Sequence, residues 1–282
     1  MKERLKDLIK LINFEFDRMS KFLFGLMAFT FVSNLIAYIS LPMRFMNQVN
    51  EYMRTNTTTL EQTIRFFGRF SFFTVTNSFW LIGPIIVGIT GLIFYSIFTW
   101  YREWFGKNTF AYRLLLLPTP RMNIFFSKLI TIFIGILTLI ATQMISLAIG
   151  YPIVSMIVNS DFLANITLWD AMEMTFAYRF IFPMNTWMFL AINGIGLILL
   201  LVLFTFILME RSFGLKGILL GILYAALSLI VILFPLFIPN ILENYYILYL
   251  SETIMLEILM FTLVGFTSLF ISRYLINYKI TV

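Results

Sequence analysis

The chain contains neither cysteine nor histidine. That double absence rules out disulfides, thiolate and imidazole metal sites, and Ser-His or Cys-His nucleophile pairs. Most intramembrane proteases and metalloenzymes go with them. Charge is scarce as well: 12% of the 282 residues are charged, against 60% hydrophobic and 18% aromatic. This balance lies outside the soluble globular range and inside the membrane class. No Gly-x-x-x-x-Gly-Lys-Ser/Thr phosphate loop occurs, and no segment is long or polar enough to fold as an ATPase. Residues Met1 to Asp7 are rich in charge and no small-residue cleavage site follows a short apolar core, so no cleavable signal peptide is expected. The net charge of +6 is expected to face anionic lipid headgroups rather than nucleic acid, given how apolar the chain is.

What is present is a series of apolar runs. Six of them, at 22–41, 79–99, 123–150, 186–208, 217–238 and 253–274, are each about long enough to cross a hydrocarbon layer of roughly 30 Å as a helix. Trp80 and Trp100 bracket the second and Trp187 opens the fourth, as interfacial anchors do. Residues 2–20 predict an amphipathic surface helix: Leu5, Leu8, Ile9, Ile12, Phe16 and Met19 recur at helical spacing opposite Lys2, Lys6, Lys10, Asn13 and Asp17. With the N-terminus inside, 15 of the 20 basic residues fall on cytoplasmic pieces and 5 (Arg44, Arg54, Arg65, Arg69 and Arg179) on outer loops. The positive-inside rule therefore favours cytoplasmic termini. The fold class expected is an all-α, multi-pass integral membrane protein forming a single domain. The outer loops are unequal. Residues 42–78 join a polar tract to a phenylalanine-rich one that is expected to re-enter the outer leaflet, and 151–185 suit a short interfacial helix.

Between the second and third runs lies a stretch both charged and sticky. Arg102, Glu103, Lys107, Arg113 and Arg121 exclude it from hydrocarbon, while Phe105, Phe110, Tyr112 and Leu114 to Leu117 are too apolar for a solvated loop. A short helix at the membrane surface over 102–117 satisfies both, stopped by Pro118 and Pro120. The order Glu103, Gly106, Thr109, Leu114-Leu115, Pro118, Arg121, Lys128 resembles the pattern of the ABC-2 type permeases of ABC transporters. In that family glycine and threonine often stand adjacent, whereas here Lys107-Asn108 separates them. The resemblance implies that 102–117 is a coupling helix docking on a separate nucleotide-binding subunit, with Arg102, Glu103, Gly106, Thr109, Arg113, Leu114, Leu115, Leu116, Pro118 and Arg121 as coupling residues. It also implies two permease chains, alike or paralogous, with two ATPase chains that bind ATP and Mg. The permease itself would be no enzyme.

Other polar residues carry two readings each. Glu257 sits within the sixth run, where a charge costs roughly 3 kcal/mol, and is either a pathway residue or a side chain reaching the interface near Glu252. Gln143 and Asn193 either line a pathway or bond a neighbouring helix. Asp170 and Glu173, at i and i+3, have no partner base and read as a solvated loop helix. Gly83, Gly88, Gly91, Gly194 and Gly196 suit close helix packing. Abundant phenylalanine and methionine suit an adaptable apolar surface. The expected function is thus a permease in a bacterial cell membrane exporting a hydrophobic or amphipathic substrate such as an antimicrobial or toxin peptide. Exporters of polysaccharide, lipid or drug, an ion-coupled secondary transporter, or a membrane scaffold or sensor subunit are the alternatives.

Overall fold

An apolar run placed in hydrocarbon must satisfy its backbone within itself, and helix closure does so. The computed structural model describes residues 2–56, 59–104, 120–241 and 249–279, and nearly all of them are helical. Six helices are long and apolar enough to cross a membrane. We label the elements α1 (Lys2–Asn56), α2 (Leu60–Phe67), α3 (Phe72–Thr76), α4 (Phe79–Trp104), α5 (Met122–Ile157), α6 (Leu168–Met174), α7 (Phe176–Ile181), α8 (Thr186–Phe213), α9 (Leu215–Ile241) and α10 (Leu250–Tyr274), followed by a π-helical turn (Leu275–Lys279).

The expected surface helix over 2–20 and the first span are not separate elements. α1 runs through both and continues to Asn56. No proline or glycine interrupts the Met19-Ser20-Lys21 junction, and the surrounding Lys, Leu, Met and Glu are good helix formers. At about 1.5 Å per residue the 55 residues of α1 extend roughly 80 Å, far beyond the hydrocarbon thickness, so a large part of α1 stands outside it. The other spans also exceed their apolar runs, because the charged ends stay helical: Arg102 and Glu103 close α4, and Glu210 and Arg211 close α8.

The chain divides into two compact units. The first comprises Met1–Phe16, Phe94–Phe133 and Asn193–Val282. In it α8 turns into α9 through one residue, Gly214, whose φ of +60° suits glycine. Its amide donates to the Glu210 carbonyl at 2.8 Å, and its carbonyl accepts from Ile218 N–H at 3.2 Å. A Cβ on Gly217 would collide with the Met209 carbonyl, so the two helices meet backbone to backbone. Val202, Ile232 and Val264 bury the contact of α8, α9 and α10. The Thr205 and Ser272 hydroxyls hydrogen-bond at 2.9 Å, as do those of Tyr224 and Ser268 at 2.6 Å.

The second unit comprises Asp17–Ile93 and Ile134–Ile192. Its core gathers Tyr38, Val49, Phe70, Phe72, Val154, Phe162 and Tyr178. The phenylalanine-rich tract is not one continuous element. It splits into α2 and α3, between which Phe70 pairs with 162–164 in a single extended bridge. Residues 151–185 likewise hold two short helices rather than one, α6 and α7, with Thr76 on α3 bonded to Thr175 at 2.7 Å. Gly88 and Gly91 face Leu139 and Phe22 at 3.3 Å, close packing as expected, whereas Gly194 and Gly196 meet nothing within 4 Å.

Candidate functional site: a lysine buried between two glutamates

Within the first unit one knot of charge is buried. Lys128, one turn and a half into α5, has a side chain with no exposed surface. Its ammonium donates to Glu103 Oε1 at 2.5 Å, Glu15 Oε1 at 2.8 Å and the Thr99 carbonyl at 3.2 Å. An ammonium has three protons, and here each has an acceptor. Glu15 and Glu103 are themselves only 3% exposed. Arg102 completes the set, reaching Glu15 Oε2 at 3.5 Å while its guanidinium lies over the Phe98 ring. Two acids and two bases make the cluster neutral, which is the condition for burying ions that each cost several kcal/mol to desolvate.

Three elements meet there. Glu15 comes from α1, Thr99, Arg102 and Glu103 from the last turns of α4, and Lys128 from the start of α5. Trp100, Phe125 and Phe204 pack edge to face and tilted nearby, with centroids 5.3 to 6.2 Å apart. Two further ties surround the knot. The Tyr101 hydroxyl donates to Glu210, with Arg211 stacked 4.2 Å over the Tyr101 ring. Arg121 donates to the Ile276 carbonyl at 3.2 Å. The segment 105–119 therefore departs from and returns to helix ends that are both fixed.

Of the expected coupling residues, Arg102, Glu103 and Arg121 fall within the described structure and occupy these anchor positions. Gly106, Thr109, Arg113, Leu114, Leu115, Leu116 and Pro118 lie outside the described residues, as does the body of the expected helix over 102–117. Lys128 binds Glu103 directly. Glu15 and Thr99 went unread in the sequence. The signal was available: Leu8, Ile12, Glu15 and Met19 keep helical spacing, so a carboxylate sits in the apolar stripe of α1 and requires a buried partner.

The expected pathway residues fare differently. Gln143, on α5 in the second unit, is buried and bonds neighbouring helices. It accepts from Asn34 Nδ2 at 3.1 Å and donates to the Tyr178 hydroxyl at 2.6 Å. Asn34 Nδ2 also reaches Ser146 at 2.9 Å, which bonds Tyr38 at 3.3 Å. Burial, reinforced by Tyr38, pushes the Tyr178 hydroxyl far above the usual tyrosine range, so this network is uncharged throughout. Asn193 and Glu257 are half-buried, and Glu257 has no ion pair among the described residues. Asp170 belongs to a helix cap, accepting from Thr167 N–H at 3.1 Å and from the Thr167 hydroxyl at 2.6 Å. In comparisons with known proteins, no family model, no curated protein and no solved structure matches the chain.

Proposed function

We propose that the chain is the membrane permease of an ATP-driven exporter of the ABC-2 type, in which 102–117 docks on a separate ATPase chain. The observation that carries this reading is the Glu15–Lys128–Glu103 knot at the root of the 105–119 connection. A chain with no ATPase of its own must receive mechanical work through a segment that a partner can grip. Work passes on only if that segment is rigidly mounted. Ionic contacts fix the α4 root to α1 and α5, and Arg121 fixes the α5 root to the C-terminal turn. Glu103 and Lys128, the first and last residues of the pattern shared with ABC-2 permeases, are bonded partners here.

In this mechanism two permease copies, or this chain and a paralogue, enclose the path of a hydrophobic or amphipathic substrate in a bacterial cell membrane, both termini cytoplasmic. Closure of the ATPase dimer on ATP and Mg moves 102–117, and the knot carries the motion into α1, α4 and α5 together. Leu115→Asp and Leu116→Asp place an unpaired charge in the docking contact, at a cost of at least several kcal/mol. Co-purification of the ATPase chain is expected to fail for both, with membrane insertion intact. Glu103→Ala still leaves Lys128 paired with Glu15, so the complex is expected to assemble but to transport less per ATP in liposomes. Aspartate variants that bind the ATPase and transport like the unmodified protein would end this reading. ATPase stimulation by sugars alone, and not by amphipathic peptides, would move the substrate to polysaccharide.

A further inference from the structure

The first unit also carries an open groove of about 820 Å³ between the start of α5 and the end of α10. This is within the size range of ligand sites. On α10 its lining residues Phe266, Phe270 and Arg273 recur at helical spacing, on one face about 10 Å long. Arg121, the residue just before α5, and Phe126 on α5 face the same groove. Both sides thus order their residues alike: a guanidinium at the helix terminus and aromatic rings deeper in the span. Phe266 and Phe270 are 74% and 76% exposed, so the rings present bare apolar surface. Arg273 is exposed and has no ion pair among the described residues. With the orientation that the basic residues favour, the cationic mouth lies at the inner leaflet. Tyr274 and Tyr278, 5.5 Å apart, lie just beyond it, as belt residues at a headgroup level do.

We propose that this groove is a binding site for an anionic phospholipid of the inner leaflet, its phosphate at Arg273 and Arg121 and its acyl chains along Phe126, Phe270 and Phe266. Charge complementarity selects this occupant: a zwitterionic lipid fills the apolar part equally well but gains less from two cations at the mouth. The proposal needs the spans to cross a membrane and does not rest on the transport reading. The test is native mass spectrometry of the full chain released from vesicles of phosphatidylglycerol and phosphatidylcholine, mixed equally with identical acyl chains. Retained lipid is expected to be enriched in phosphatidylglycerol. Arg273→Gln, a change at an exposed side chain, should cut that enrichment roughly five-fold, the share of one basic side chain at an anionic surface, and Arg273→Lys should restore most of it. A photoreactive benzoylphenylalanine at position 270 should capture lipid. Equal retention of the two lipids, or enrichment untouched by Arg273→Gln, overturns the proposal. Capture of a second copy of the chain or of an ATPase chain at position 270, in place of lipid, also overturns it.

Discussion

The two units each bury a polar cluster in an otherwise apolar interior, and they do so by opposite means. The first unit buries ions: Lys128 with Glu15 and Glu103, all but inaccessible and held within 2.5 to 2.8 Å. The second buries neutral groups: Asn34, Tyr38, Gln143, Ser146 and Tyr178 in one hydrogen-bonded chain. Both fix the register of helices that apolar packing alone leaves free to slide. They differ in what a single loss does. A neutral network missing one member forfeits a hydrogen bond, but an ionic knot missing Lys128 loses the charge that both of its buried carboxylates bind. The ionic unit is thus far more demanding of every member, and it is the one beside the segment where we place the partner.

The sharpest way to break this comparison is Lys128→Met. Glu15 and Glu103 would both lose the buried cation they share, with Arg102 still 3.5 Å from Glu15, at about 3 to 5 kcal/mol. For a chain of this size that lowers Tm by on the order of 10 °C, measured by thermal unfolding in micelles. Adding Glu15→Gln and Glu103→Gln should recover most of the loss. A single variant as stable as the parent would mean that the three charges do not depend on one another. In the neutral unit Tyr178→Phe removes only the acceptor of the Gln143 amide, worth about 1 kcal/mol by membrane and soluble precedents alike. The same assay should register a few degrees, and a drop as large as that of Lys128→Met would erase the distinction. The smallest effect belongs to a carboxylate at the surface. Hydrogen bonds from the Thr167 hydroxyl and amide hold the Asp170 carboxyl below its ordinary value. Because the folded value is the lower one, the cap stabilises α6 fully above the ordinary carboxylate range near pH 4 and is lost as pH falls through the depressed value. The emission of Trp169 should report this as pH falls below about 4, with Asp170→Asn abolishing the titration.

The spans were legible because an apolar run of that length has one backbone solution. Their ends were not. A charge such as Arg102 or Arg211 leaves hydrocarbon without leaving the helix, so hydropathy stops earlier than hydrogen bonding does. α1 shows this most fully: the change from a striped pattern to a uniformly apolar one near Ser20 is a change of surroundings, with no change of conformation. The site was half legible. Glu103 and Lys128 stood out by their place in a pattern that resembles one of a known family, yet their pairing with each other and with Glu15 is tertiary, and nothing local to any of the three names its partner. The short helices between the spans escaped for a different reason. α3, α6 and α7 hold five to seven residues each, too few for a period to repeat, and only the caps at Ser71 and Thr167 mark a start.

The one-residue turn at Gly214 has a consequence for how the chain is made. A ribosome working at about 5 to 20 residues per second delivers the 27 residues of α9 within a few seconds of completing α8. Since no loop has to be closed, the pairing of the two helices carries almost none of the entropic delay that longer connections impose. α8 and α9 can therefore enter the bilayer as one preassembled hairpin, with Thr205 and Tyr224 already placed to receive Ser272 and Ser268 when α10 emerges.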